Sequence, residues 1–158
     1  KLVPWGTVVL FAASISLGNL LSKTGAAAWL AQQTLGQMGL SALPVVAVIG
    51  ALSLFSIVLH LGFASATGLA STLIPIFIAF AQSLPVSKET AFGIVMIQSF
   101  VVSFGFILPT NAPQNMLCYG TGAFGTSQFA KVGLLLTLAG LGLILLLSAT
   151  LWPMMGVL

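Results

Sequence analysis

Between residues 109 and 115 the chain reads Pro-Thr-Asn-Ala-Pro-Gln-Asn, set inside an otherwise apolar run from Ser103 to Gly122. Each proline removes a backbone donor and clashes with the preceding turn, so Pro109 and Pro113 cannot both lie inside one regular helix. The carbonyls and amides they free need partners, and lipid supplies no water. Such a break persists at membrane depth only when it is buried in protein or lines a polar cavity, which makes it a candidate binding site. A second cluster, Ser65 and Thr67 within Ala64-Ser-Ala-Thr-Gly68, joins two apolar stretches. Thr67 and Asn115 each open a second half-helix, whose free amides and positive dipole end favour an anion. The carbonyls that end the first half-helices favour a cation. For one cluster alone, Ser and Thr bonding back to their own helices would suffice. Two clusters, both beside breaks, favour a site.

Other chemistry is thinly supplied. The four cations are all lysines, the one acid is Glu89, and there is neither Asp nor Arg. No Ser-His-Asp set, no paired carboxylates and no Cys/His cluster exists, so neither an enzyme nor a metal centre is expected, and no cofactor is implied. His60 is the one ionisable side chain deep in an apolar segment. It reads either as a proton relay or ligand-facing group, or as a neutral ring bonded to a neighbouring backbone or hydroxyl group, and the second is favoured because proton paths show several ionisable groups. The pair Gly120-x-Gly122 lacks the strand and Lys-Ser/Thr context of a phosphate loop. Cys118 is single, so no internal disulfide forms.

The elements that must carry these clusters are membrane helices. Of 158 residues, 59% are hydrophobic and 3% charged, whereas soluble domains carry about 25% charged residues. So few charges cannot cover a water-facing surface. The chain is expected to be a multi-pass integral membrane protein, and a net charge of only +3 gives a nucleic-acid partner nothing to rest on. Its opening residue, Lys1, and the apolar run behind it indicate a piece of a longer chain. Residues 5–21 form a first apolar segment long enough to span, with Pro4 suited to its start and Trp5 to the interface. Residues 24–40 alternate alanine and leucine with glutamine, which predicts an amphipathic helix lying in the interface or an extramembrane helix, with Thr24 as its cap. Residues 44–63 and 67–84 form either two spans or a re-entrant hairpin, and the small-residue joint favours the hairpin. Pro75 is expected to kink the second arm, and Ser87 to cap the next helix. That helix, residues 91–108, runs into the proline break and resumes as a short piece over 116–119. A glycine-containing linker over 121–128 then precedes a last helix over 131–152. Lys23 and Lys88 fall on one membrane face and Lys1 and Lys131 on the other, so the lysines do not orient the chain.

At these residues the chain resembles the C-terminal part of the divalent anion:sodium symporter family, which includes dicarboxylate, citrate and sulfate carriers. Ser65-Ala66-Thr67 with Ile74-Pro75-Ile76-Phe77 is similar to the tip and second arm of the family's second re-entrant hairpin. Ile107-Leu108-Pro109 through Asn115, with Tyr119-Gly120-Thr121-Gly122, is similar to its broken helix. Leu17-Gly18, Lys23-Thr24-Gly25 and Trp29-Leu30 resemble a scaffold helix and its interfacial arm. The resemblance implies an all-α integral membrane fold, the C-terminal half-repeat of an inverted-repeat elevator carrier. Residues 1–41 would form scaffold and arm. Residues 42–158 would form part of the transport domain, with hairpin 44–84, broken helix 88–122 and last helix 131–152.

It further implies secondary transport of di- or tricarboxylates, or of sulfate, by a homodimer in lipid, completed by an N-terminal half bearing the first hairpin. A bacterial inner membrane is the expected location. Ser65, Thr67 and Pro113 would touch the substrate, with Asn115 beside them, and Ala64, Ala66 and Asn111 would surround a sodium ion, mostly through backbone oxygens. One departure is Ala66, which stands where the motif has asparagine. With the His60-to-Ser65 context, it is similar to the family's sodium-independent exchangers and implies exchange with weak sodium dependence or none. The competing classes are a channel and a structural subunit. A channel would show a polar stripe or charged ring, and a structural subunit would need no broken elements.

Overall fold

The computed structural model describes residues 12, 16, 20, 23–63 and 65–158, so the expected first span lies almost wholly outside the described residues. Among the described residues every regular element is helical: α1 (Ala26–Thr34), α2 (Val45–His60), α3 (Ala66–Ser83), α4 (Lys88–Val101), α5 (Pro113–Gly120), α6 (Thr126–Ala149) and α7 (Leu151–Met154). Helix α3 and the continuous stretch α6–α7, of 29 residues, are long and apolar enough to cross a membrane. Helix α2 has 16 residues, or about 24 Å at 1.5 Å per residue, short of the roughly 30 Å of a hydrocarbon core.

The arm helix is shorter than its sequence pattern. It ends at Thr34 and gives way to 3₁₀ turns over Gly36–Met38 and Leu40–Ala42. Between the turns Gly39 adopts φ +64°, a left-handed conformation that a side chain resists. Gly25, rather than Thr24, occupies the cap position of α1. Ala27, Ala31 and Leu35, spaced four apart, form the buried face, and α1 packs on α3. Trp29 on the opposite side is exposed.

The core is built around α4, which packs against both α2 and α3, while the two arms touch each other only slightly. Ile94, Ile97 and Val101 of α4 are buried with Ile49 and Leu52 of α2 and Leu69, Leu73 and Phe77 of α3. In lipid, close packing of such side chains replaces the hydrophobic drive that would join them in water. Gln98 meets Ile49 and Ser53, and further along both elements Gly105 meets His60. Helices α2 and α4 therefore run parallel. Pro75 sits inside α3, which continues to Ser83 without interruption, and Ser87 caps α4 as expected, accepting from the Thr90 amide at 3.0 Å.

Two boundaries differ from the sequence reading. Helix α4 stops at Val101 rather than reaching Leu108. The residues after it pack where a helix would not fit: a methyl on Gly105 would lie 2.7 Å from His60 Nε2, and one on Gly133 would meet the Phe106 carbonyl. The last helix starts at Thr126, not near Lys131, because Gln128 accepts the Gly125 amide at 3.1 Å and closes its first turn. It also breaks at Thr150 before α7. Gly133, Thr137, Ile144 and Ser148 make the buried face of α6, which packs on α2 and the proline turn.

Candidate functional site

The two prolines each begin a helical turn. Pro109 opens a 3₁₀ turn over Pro109–Asn111, and Pro113 opens α5. At the first helical position the missing N–H costs nothing and the fixed φ is already helical. The break is therefore an extended segment, a 3₁₀ turn and a new helix start, held together by side-chain amides. Asn115 Nδ2 donates to the Gly105 carbonyl at 2.7 Å and, at the limit of bonding, to that of Leu108 at 3.5 Å. Both carbonyls belong to the extended segment beyond α4, and that of Leu108 also accepts the Asn111 amide at 3.2 Å.

Asn111 is 1% exposed, and its Nδ2 donates to the His60 carbonyl near the end of α2. Its Oδ1 is buried with no donor among the described residues, and the same holds for both ring nitrogens of His60. The expectation that the His60 ring is bonded to a neighbouring backbone or hydroxyl group is thus not met. It is the main chain of His60, not its ring, that takes part in a hydrogen bond. An amide oxygen kept dry and without a donor is costly, and it is the kind of oxygen that suits a hard cation.

Since α2 and α4 run parallel, the end of α2 and the tip after it lie at the level of the break. The tip itself is half-buried. Ser65 is the cap of α3, its Oγ accepting from the Gly68 amide at 3.3 Å, which leaves the hydroxyl proton available. Ala66 and Thr67 form the first turn of α3. The Thr67 carbonyl accepts from Ser71 at 3.0 Å. Among the described residues no hydrogen bond joins Ser65 or Thr67 to Asn111 or Asn115. Ala64 lies outside the described residues, and Pro113 is placed by its backbone alone. The start of α5 differs from that of α3 in having no side-chain cap. Pro113 has no N–H, and the Asn115 and Met116 amides donate to the Ala112 carbonyl at 3.1 and 3.2 Å, so among the described residues Gln114 supplies the one first-turn amide left for an external acceptor.

Sequence reasoning overlooked two residues, Ser53 and Gln98. Ser53 is fully buried and accepts from Gln98 Nε2 at 3.1 Å, while the same nitrogen donates to the Ile49 carbonyl at 3.2 Å. The available signal was the i, i+3, i+7 spacing of Ser53, Ser56 and His60, a polar stripe on one face of an otherwise apolar helix. A separate cavity of about 630 Å³ opens between Phe106, Asn115, Phe124, Gln128 and Phe129. Of the candidate residues whose side chains are described, only Asn115 reaches it.

A membrane protein of Cupriavidus necator is 48% identical over 153 residues, 97% of this chain and 30% of its own length. An uncharacterised transporter of Methanocaldococcus jannaschii is 29% identical over 148 residues, 94% of this chain and 32% of its own. A sodium-dependent dicarboxylate transporter of Staphylococcus saprophyticus is 28% identical over 153 residues, 97% of this chain and 28% of its own. The chain spans about a third of the length of these relatives. The sodium:sulfate symporter transmembrane region matches all of residues 1–158, and the chain, an integral membrane protein, belongs to that family of transporters.

Proposed function

We propose that the chain is the C-terminal part of a secondary carrier that moves a small di- or tricarboxylate together with sodium. The observation that carries this reading is the pairing of the α5 start, with no side-chain cap and the Gln114 amide left over, with the buried Oδ1 of Asn111, which has no donor among the described residues, across Ala112. The Gln114 amide and the positive end of the α5 dipole would take a carboxylate and the oxygen a cation, so one break serves both. Ser65 and Thr67 would supply hydroxyls to the anion, with Pro113 and Asn115 lining the same space. The carbonyls at Ala64 and Ala66 would complete the sodium shell. The name of the Staphylococcus relative supports a dicarboxylate and sodium.

Alternating access of the elevator kind fits the packing: α4 lies against both hairpin arms and α6 against the first, so hairpin, break and last helix have the contacts of one moving body. That body would slide against the first helix and a dimeric scaffold in the membrane. The test uses the full-length carrier in proteoliposomes, with labelled succinate outside and sodium or potassium as the salt. Sodium-dependent uptake into empty vesicles, competed by dicarboxylates and weakened by Thr67→Ala, is expected. Uptake unaffected by Thr67→Ala, or blocked by sulfate and not by dicarboxylates, would overturn the reading.

Ala66 favours a second reading, obligatory exchange without sodium, since the tip lacks an amide that would brace a cation. Under it, vesicles must be preloaded with dicarboxylate, counterflow is equal in the two salts, and Ala66→Asn introduces sodium dependence. Uptake that already requires sodium in the unaltered protein excludes it, and shows that backbone carbonyls with Asn111 suffice.

A further inference from the structure

We infer that Gln98 and Ser53 are positioning residues for the anion site, acting on it through the register of the first hairpin arm. This rests on the reading of the tip and break as that site. Gln98 lies on α4 less than two turns before the break and, like Ser53, has no exposed surface. A buried amide is costly unless it is bonded; this one leaves its Oε1 without a donor among the described residues and spends its nitrogen wholly on α2. The two acceptors, the Ile49 carbonyl and the Ser53 hydroxyl, belong to residues one helical turn apart. A slip of α2 by one residue, about 1.5 Å with a rotation of about 100°, would lose both bonds at once.

The clamp is matched on the far side of the break. Seven residues beyond Ser53, about 10.5 Å along the helix, the His60 carbonyl accepts from Asn111. Between the two ties the Gly105 backbone lies against the His60 ring, too close for a side chain. Helix α2 is therefore fixed in depth and rotation to the segments both before and after the break. Ser65 and Thr67 follow His60 by five and seven residues, so their depth relative to the break is inherited from this register. Ile, Leu and Val side chains pack through a smooth surface that permits sliding. The amide clamp selects one position on it.

Loosening the clamp would lower the fraction of carrier whose tip and break are in the binding register, and the apparent affinity would fall by that fraction. The experiment measures succinate uptake by the full-length carrier in proteoliposomes, with Gln98→Met, which keeps length and removes the amide, and with Ser53→Ala and Ser53→Thr. Expected is a rise in KM of about fivefold for Gln98→Met and Ser53→Ala, the factor associated with one neutral hydrogen bond. Maximal rate stays as in the unaltered protein, melting temperature falls by no more than the loss of one buried hydrogen bond accounts for, and Ser53→Thr, which keeps the hydroxyl, restores KM. An unchanged KM in both clamp variants, or parallel loss of maximal rate and melting temperature, overturns the inference in favour of plain packing. If Gln98→Met fails to accumulate in the membrane, Ser53→Ala decides. Thr67→Ala separates the two levels: a raised KM there beside a normal KM in the clamp variants sinks the positioning role alone, whereas a normal KM at Thr67→Ala sinks the site reading beneath it.

Discussion

Adding one methyl to α6 at three positions should have three different outcomes, and the structure orders them. Gly133, Gly140 and Gly142 all lie in the same helix, where alanine is intrinsically better than glycine by about 1 kcal/mol. At Gly142 nothing lies within 4 Å of the added carbon, so Gly142→Ala should be neutral or raise the melting temperature. At Gly140 the carbon would meet the edge of the Phe104 ring at 2.9 and 3.0 Å. A ring edge can turn aside, so the intrinsic gain and the strain should nearly offset. At Gly133 the carbon would fall on the Phe106 carbonyl group and 3.0 Å from Ile107 Cα. Main chain must move there by more than about 1 Å to clear the Phe106 carbonyl and regain ordinary separations of about 3.5–4 Å between carbons, and such overpacking costs about 1–3 kcal/mol or more. The displaced segment carries the Gly105 carbonyl that Asn115 holds, so the damage should reach the break as well as stability. The assay is thermal melting of the purified full-length carrier together with uptake in proteoliposomes. The expected order of melting temperatures is Gly142→Ala, then Gly140→Ala, then Gly133→Ala, with uptake strongly reduced only in the last. If Gly133→Ala melts and transports like Gly142→Ala, the extended segment does not sit against α6 and the account of why α4 ends early fails.

Asn115→Ala removes the donor shared by the Gly105 and Leu108 carbonyls. It should cost about 1–3 kcal/mol of stability, the range for leaving a buried acceptor unpaired, and lower uptake, which melting and transport measured together will read. Ser87→Ala removes the cap of α4 at the polar end far from the break; about 1 kcal/mol of stability should be lost with KM for the anion unchanged. A changed KM in that variant would show that the start of α4 communicates with the site.

The sequence by itself determined what local chemistry determines. Charge scarcity required a membrane setting, since no packing arrangement makes so apolar a surface soluble. Pro109 and Pro113 required a break, because a missing N–H and a ring clash act within one turn. Ser87 announced its helix start, since a side-chain cap needs only its own next three residues. Other boundaries were decided by neighbours distant in sequence. Residues 102–108 are apolar apart from Ser103, and Gly105 is the one weak stop signal before Pro109, yet α4 ends four residues before that glycine, at Val101, and the chain beyond it threads between the His60 ring and Gly133. Ser53 in isolation is indistinguishable from a serine bonded to its own helix. What makes it a clamp is Gln98, 45 residues away. The donorless Oδ1 of Asn111 likewise exists only because the His60 carbonyl, 51 residues earlier, takes the amide's other end. An amide or hydroxyl in a sequence declares what it can donate or accept, but only the folded chain assigns the partner, and in lipid that assignment separates a brace from a binding group.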